Sequence, residues 1–117
     1  TKAYLQGPHA NVFTGTNPTI VLELPPNDSV NNYILVRMDA KEDRREIEVA
    51  ATGGVVGGKA GIRAESIVPT AVTPLGSNQF QLTASTRISR GEYIIYVVGS
   101  ADTMKGIHGK GYDFTVD

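Results

Sequence analysis

The sequence contains no cysteine, no tryptophan and no strong excess of either charge. Without cysteine the chain forms no disulfide, no thiolate metal site and no thiol nucleophile. Eleven Lys and Arg residues against 12 Asp and Glu give a net charge of −1, so the basic surface that nucleic-acid binding requires is missing. No apolar run approaches the roughly 18 residues of a membrane-spanning helix. These absences argue against a nucleic-acid-binding protein, a membrane-spanning protein and a thiol enzyme.

The composition is that of a folded chain. Of 117 residues, 40% are hydrophobic and 20% are charged, which separates the chain from disordered sequences. This length is close to the commonest domain size, so we expect a single domain over residues 1–117 with a core that needs no metal or disulfide. Because the chain begins at Thr1 rather than at methionine, we expect it to be a processed or excised piece.

Short β-branched or alternating apolar runs recur between turn signals, and no segment has the pattern of a long helix. The predicted strands lie at residues 3–5, 18–24, 32–38, 46–50, 67–72 and 79–84, with two more in the C-terminal runs 90–98 and 111–117. These runs predict an all-β fold, an antiparallel β-sandwich of seven or eight strands. Tyr93 and Tyr96 fall on opposite faces of their strand, and Ile95 and Phe114 are expected in the core.

The segment 39–50 allows two interpretations. Its Ala, Lys, Glu and Arg residues are good helix formers, but its apolar residues, Ile47 and Val49, are spaced by two. That spacing favours a charged turn followed by a strand whose glutamates, such as Glu46, face water. The neighbouring arginines are then expected to serve solubility and edge protection. In the later run 67–72, Pro69 indicates an edge strand.

Two glycine-rich segments invite a functional interpretation. Residues 53–60 match a phosphate-binding loop as far as Lys59, but Ala60 stands where a hydroxyl must hold magnesium, and no helix follows. We therefore expect a surface loop there and no cofactor. The second segment can cradle an anion through backbone N–H groups, although a hairpin loop that needs positive φ explains its glycines as well. Its candidate contacts are Gly106, His108, Gly109, Lys110 and Gly111.

No catalytic or metal-ligating set converges in the sequence. The two histidines, His9 and His108, lack the spacing of a metal site, and His9 is expected at the surface. Asn27-Asp28 and Asp39 with Glu42-Asp43 offer oxygen ligands, but they lack the spacing of a calcium loop. The sequence therefore predicts a protein that is not an enzyme, with no catalytic residue and no metal site.

Five parts of the chain follow one another in a recognisable order. They are residues 32–38, 41–47, Gly61-Ile62 with Val68-Pro69, Arg90–Tyr93, and 112–117. In this order they resemble an uncharacterised β-sandwich module of bacterial secreted or envelope proteins, with Arg90 where those relatives have proline. The resemblance implies an immunoglobulin-like sandwich and an extracytoplasmic location: secreted, periplasmic or at the cell surface. It implies no ligand and no catalytic residue.

Three functions stay open at this point, and one of them is a small hydrolase or anion-binding protein that uses the Gly106–Gly111 loop with His108. The first is a non-enzymatic module for protein–protein interaction or structural assembly, including a surface or filament subunit, that binds a protein partner or a second copy through strand edges. Residues 2–6 and the Pro69-bearing edge are its expected contact elements. The alternative is an accessory carbohydrate- or calcium-binding module of a larger secreted protein. The lack of tryptophan weakens the carbohydrate part, because sugar rings commonly stack on that side chain.

Overall fold

The structure, a computed structural model, describes residues 2–7, 9–26, 28–48, 64–97 and 110–117. Across these segments the chain forms ten strands and two single-turn 3-10 helices, and it contains no α-helix. The prediction of an all-β fold is therefore confirmed. None of the helices in the described segments has the length and apolar character needed to cross a membrane.

The strands fall into two sheets. In chain order they are β1 Lys2–Gln6, β2 Phe13–Thr14, β3 Thr19–Glu23, β4 Tyr33–Ala40, β5 Arg44–Glu48, β6 Ile67–Val68, β7 Thr70–Gly76, β8 Gln79–Ala84, β9 Gly91–Val97 and β10 Lys110–Val116. The larger sheet has the order β1-β5-β4-β9-β10-β2, with β6 also paired to β4, and the smaller has the order β3-β8-β7. Seven or eight strands were predicted. The described residues contain more because β2 and β6 have two residues each, too few to show alternation.

One strand pair departs from the antiparallel prediction. β2 runs parallel to β10, with Phe13 beside Thr115, and the Thr115 N–H donates to the Val12 carbonyl at 2.8 Å. Every other pairing in the described segments is antiparallel. The prediction of a wholly antiparallel arrangement is therefore wrong at this edge.

The two sheets pack face to face through one apolar cluster, which makes the fold sandwich-like. Each sheet presents alternate side chains to the other. The buried members are Leu22, Leu24 and Leu82 from the smaller sheet and its flank, Leu35, Tyr93, Ile95, Phe114 and Val116 from the larger, and Ile88 from a connection. The prediction that Ile95 and Phe114 lie in the core is confirmed.

The opposite face of the larger sheet is also buried. β4 and β9 lie at its centre and therefore carry continuous apolar runs rather than strict alternation. The buried side chains on this face are Ile34, Val36, Met38, Ile47, Ile94 and Tyr96. Because Tyr93 belongs to the first cluster and Tyr96 to the second, the prediction that they face opposite ways is confirmed.

The charged segment after β4 forms a hairpin, as its period-two spacing predicts. Ala40 pairs with Arg45, and the Lys41 N–H donates to the Arg44 carbonyl at 2.8 Å. The prediction that this strand turns charges to water is wrong, because Arg45 is only 4% exposed and Glu46 only 5%. β1 pairs along the whole of β5, and ion pairs replace the water that these charges lose: the Arg44 guanidinium lies 2.8 Å from the Glu46 carboxylate.

Pro69 lies where the chain passes from one sheet to the other. Val68 of β6 pairs with Leu35 in the larger sheet, whereas Thr70 of β7 pairs with Ala84 in the smaller. A residue without an N–H is tolerated here because the chain leaves one ladder and enters the next. The run 67–72 is therefore two strands rather than one, and its second part, β7, is an edge of the smaller sheet.

Candidate binding edge and adjoining cleft

Three of the five predicted loop contacts lie outside the described residues: Gly106, His108 and Gly109. The glycine-rich segment 53–60 lies outside them as well. Lys110 and Gly111 begin β10. A Cβ on Gly111 would collide with the Ile94 Cδ1 and would lie 2.7 Å from the Ile94 Cγ1. Close packing against β9 therefore explains why glycine occupies position 111.

A buried ionic cluster lies where β5, β9 and β10 meet. Arg45 donates from Nη1 to the Asp113 Oδ2 at 2.6 Å and from Nε to the Gly7 carbonyl at 3.1 Å. The same Nη1 lies 3.9 Å from the Glu92 carboxylate, which accepts a hydrogen bond from the Thr115 hydroxyl at 2.6 Å. The cluster therefore ties the first residues of the chain to its last strand.

His9 completes this cluster from the surface, with its side chain 64% exposed, as predicted. Its Nδ1 lies 3.3 Å from the Glu92 Oε2. Histidine, carboxylate and hydroxyl are the components of a nucleophilic site, but the Thr115 hydroxyl donates to Glu92 rather than to an imidazole. Thr115 also accepts the Ala10 N–H at 2.9 Å. This geometry fastens a segment to the sheet and activates no nucleophile.

Asp28, a candidate calcium ligand in the sequence, uses its oxygens within the protein. Its Oδ2 accepts the Tyr33 hydroxyl at 2.7 Å, and its Oδ1 accepts the Ser29 N–H at 2.8 Å and the Asn32 amide at 3.2 Å. The Tyr33 bond, followed by the Ser29 and Asn32 bonds, holds the pKa of Asp28 below its usual value. The bond to Asp28 also raises the pKa of Tyr33 to about 12. Among the described residues, no three histidine or carboxylate side chains are grouped closely enough for a metal ion.

The smaller sheet ends at β3 on one side, and one hydrogen bond shows which backbone groups of this strand face β8 and which face outward. The Leu24 N–H donates to the Asn78 carbonyl at 2.7 Å. Hydrogen-bonded pairs alternate along an antiparallel ladder, so Ile20 and Leu22 bond to β8. The backbone groups of the intervening residues, Thr19, Val21 and Glu23, therefore point away from the sheet.

The other edge, β7, has features that block the addition of a strand. The Ser85 N–H donates to the Pro69 carbonyl at 2.9 Å, so alternation places Val72 and Pro74 outward. Pro74 has no N–H to offer, and the register shifts between Pro74 and Gly76. Proline and a bulge are both devices that protect sheet edges. The five residues of β3 contain neither proline nor a register shift, and Val21 is 61% exposed.

A cleft of ≈ 540 Å³ adjoins this open edge. It lies between β3 and the strands β4, β9 and β10, and its floor is apolar, with Leu22 and Ile95 among its residues. Two tyrosines line it, Tyr33 and Tyr112, and Tyr112 is 62% exposed. Its charged lining residues among those described are Glu23 and Asp28. Among its described lining residues there is no Lys, Arg or His.

Of the cleft and the open edge, only the cleft has a signal in the sequence. Alternation in the last strand places Tyr112 on the same face as Phe114, so an aromatic residue at one end of the sandwich could have been anticipated. The order of the strands, which makes β3 an edge, has no local signal.

Comparison with known proteins adds no relative. No protein-family model matches the chain, and searches of curated proteins and of solved structures found no match. The candidate site therefore rests on the geometry of the described residues.

Proposed function

We propose that the protein is a non-enzymatic binding module whose β3 edge receives an extended segment of a partner protein. The observation that carries this proposal is the outward direction of the Thr19, Val21 and Glu23 backbone groups on a strand without proline or bulge. A segment added to such an edge gains affinity from main-chain hydrogen bonds and specificity from alternate side-chain pockets. The sequence favoured residues 2–6 and the Pro69-bearing edge. β1 is an edge of the larger sheet and stays a candidate, whereas Pro74 protects β7. The cleft beside β3 favours that strand as the binding edge.

The immunoglobulin-like form of the sandwich belongs to this proposal. Tyr93, at the beginning of β9, donates its hydroxyl to the Ser89 carbonyl four residues upstream at 2.8 Å. A tyrosine at the start of a strand that bonds back to the preceding connection is the tyrosine corner of immunoglobulin-like domains. The face-to-face packing of the two sheets is also in keeping with this fold.

An extracytoplasmic location, secreted, periplasmic or at the cell surface, is proposed on the resemblance to bacterial secreted and envelope modules alone. Fractionation of the cells that produce the protein, followed by antibody detection, tests this location. Recovery from the cytosolic fraction only would contradict it.

The binding edge is tested with Val21→Pro. The N–H of Val21 points away from β8, so proline removes a donor from the free edge without breaking an existing ladder bond. Val72→Pro is the matched control, since it makes the same change at an outward position of β7. The probe is an array of short peptides in which threonine and valine alternate around one varied position, and binding is confirmed by hydrogen exchange of residues 19–23.

We expect the wild-type protein and Val72→Pro to bind the same peptides, and Val21→Pro to lose about tenfold or more in affinity. Equal binding by Val21→Pro would contradict the proposal. Sedimentation of the protein without peptide measures whether the protein forms a dimer. A dimer that Val21→Pro abolishes would identify a second copy of the chain, not a partner protein, as the occupant of the edge.

Carbohydrate binding in the cleft is a second candidate function. The observation that favours it is the exposed Tyr112 ring beside two carboxylates, because sugar rings pack on aromatic faces while carboxylates accept their hydroxyl hydrogens. Calorimetric titration with neutral oligosaccharides, using wild-type protein and Tyr112→Ala, tests it. Absence of heat from the wild-type protein would remove this candidate.

A further inference from the structure

We infer that the segment received by β3 carries a lysine or arginine whose side chain enters the adjoining cleft. This inference rests on the proposed binding edge, and it names the chemistry of the partner. Its basis is the position of the cleft beside β3, the two carboxylates that line it and the aromatic residues beside them.

The register identifies the position of the basic residue. Leu22 and Val21 both line the cleft, but only Leu22 is buried in the cluster between the sheets, together with Ile95 of the cleft floor, whereas Val21 lies on the opposite face of β3 and is exposed. Residues directly opposite each other on neighbouring strands place their side chains on the same face. The residue of the bound segment that lies opposite Leu22 therefore directs its side chain into the cleft.

The charge of the cleft selects a cation. Glu23 and Asp28 line it, and its described lining residues include no basic side chain to neutralise them. The bond from the Tyr33 hydroxyl holds the pKa of Asp28 below its usual value, which is itself well under neutral pH. A guanidinium or ammonium group that enters opposite Leu22 lies on the face of Tyr33 and its bonded Asp28, where the Tyr112 ring can add a cation–π contact. Glu23 alternates with Leu22 and adds its negative charge from the other face of β3.

The apolar floor suits the stem of the same side chain. Lysine and arginine pack their methylene groups on apolar surface while the charged end stays in a polar setting. Leu22 and Ile95 provide that surface, and the carboxylates lie at the same cleft. A short amine would fill only the charged part of the site, so a basic side chain on an extended backbone uses more of it.

A second copy of this chain that pairs through its own β3 does not supply the cation. In an antiparallel pairing of two β3 strands centred on Val21, Ile20 of one copy lies opposite Leu22 of the other, and Thr19 lies opposite Glu23. An isoleucine would then enter the cleft, and both carboxylates would stay without a counter-charge. The occupant that fits is therefore a segment other than β3, in keeping with the partner protein proposed above.

The experiment compares short threonine–valine peptides that differ only at the position opposite Leu22, which is arginine, glutamine or glutamate. The protein variants are wild type, Val21→Pro and the double variant Glu23→Gln with Asp28→Asn. The matched control is Glu42→Gln with Asp43→Asn, which makes the same charge change in the exposed β4–β5 turn, away from the cleft. Affinity is measured by fluorescence anisotropy at low and at high salt.

We expect the arginine peptide to bind wild-type protein about tenfold more tightly than the glutamine peptide at low salt, and the glutamate peptide to bind most weakly. The cleft double variant should lose this preference, whereas the turn variant should keep it. Equal binding of the arginine and glutamine peptides, with both lost in Val21→Pro, would overturn this inference and leave the binding edge intact. Failure of every peptide would overturn the binding edge itself.

Two further ligands, acetyl-arginine amide and neutral oligosaccharides, show whether the cleft takes a peptide side chain, a small amine or a sugar. Acetyl-arginine amide should bind much more weakly than the arginine peptide, because it lacks the ladder. If it binds equally well, and Val21→Pro binds it unchanged, the cleft is a site for small amines and the inference is wrong. Displacement of the arginine peptide by neutral oligosaccharides would favour the carbohydrate function instead.

Discussion

Replacement of Tyr93 by phenylalanine removes one hydroxyl and leaves the ring in place. That hydroxyl donates to the Ser89 carbonyl at 2.8 Å and accepts from the Arg37 Nη1 at 3.0 Å. The ring is fully buried and stacks on Phe114 with centroids 5.7 Å apart, so Tyr93→Phe creates no cavity in the apolar cluster. The loss of stability therefore measures the hydrogen bonds of this hydroxyl, which include a longer contact of 3.5 Å with the Ser89 Oγ.

The expected loss is modest and can be worked out from these contacts. A hydrogen bond contributes about 0.5–1.5 kcal/mol to net stability, and a buried group left without its partner costs about 1–3 kcal/mol. Arg37 is exposed and recovers hydrogen bonds to water, so most of the loss comes from the Ser89 carbonyl. We expect the free energy of unfolding to fall by about 1–2 kcal/mol, and Tm to fall by about 3–6 °C for each kcal/mol.

Tyr96→Phe is the matched control on the same strand. Tyr96 is also buried, and burial raises its pKa, but no described residue forms a hydrogen bond with its hydroxyl. Its replacement should change the free energy of unfolding by no more than about 0.5 kcal/mol. Urea unfolding of both variants measures the difference. Equal losses, or a loss for Tyr93→Phe below about 0.5 kcal/mol, would refute the idea that the bond between the Tyr93 hydroxyl and the Ser89 carbonyl stabilises the fold.

Two further predictions concern the charged groups. Arg45→Met should cost about 3–5 kcal/mol, since it leaves buried Glu92, and also Asp113, without the guanidinium that lies 3.9 Å and 2.6 Å from them. Arg87→Met, whose exposed guanidinium bonds to the neutral Thr16 hydroxyl, should cost less than about 1 kcal/mol in the same urea assay; similar costs would contradict the burial of Arg45. The folded pKa of Tyr33, about 12, lies above the ordinary tyrosine value of 10.0, so the stability that its bond to Asp28 supplies is complete below pH 10.0 and is lost as pH rises towards 12. Tm measured across that interval should therefore fall more for the wild-type protein than for Tyr33→Phe, and parallel curves would contradict this linkage.

Local sequence patterns predict strands such as β8 and β4, in which the alternation or the residue types of neighbouring positions match the burial of the strand. The run 79–84 matches β8 because its apolar residues alternate towards a single buried face. The run 32–38 predicted β4 although both of its faces are buried, because β-branched and aromatic residues fill it. In both strands the pattern is carried by neighbouring residues, so no distant contact was needed.

The burial of charge could not be predicted in this way. Arg45 and Glu46 lie in a sequence that is typical of a strand with one solvent-exposed face. The partner of Arg45, Asp113, lies 68 residues further along the chain. A charged residue at an inward position is stabilised only when its partner arrives from another strand. The same limit applies to Pro69, since only the strand order shows that the chain changes sheets there.

The candidate site was missed for a related reason. The sequence offers Asp28 as a metal ligand, but its carboxylate accepts hydrogen bonds from Tyr33 and Ser29 and so stabilises a local turn. Tyr112 reaches the same cleft from the last strand. Whether β3 is a central strand or an edge depends on the sheet order, which no residue of β3 encodes.

The place of β10 has a consequence for how the chain reaches this structure. The last strand in sequence lies between β9 and β2, and its Thr115 bonds to Ala10, 105 residues earlier. Until residues 110–116 have left the ribosome, β9 has an unpaired edge and the apolar cluster lacks Phe114 and Val116. A nascent chain in that condition exposes both a strand edge and apolar surface, which favours aggregation. Correct folding during synthesis therefore depends on keeping that incomplete sheet away from other chains until its last strand arrives.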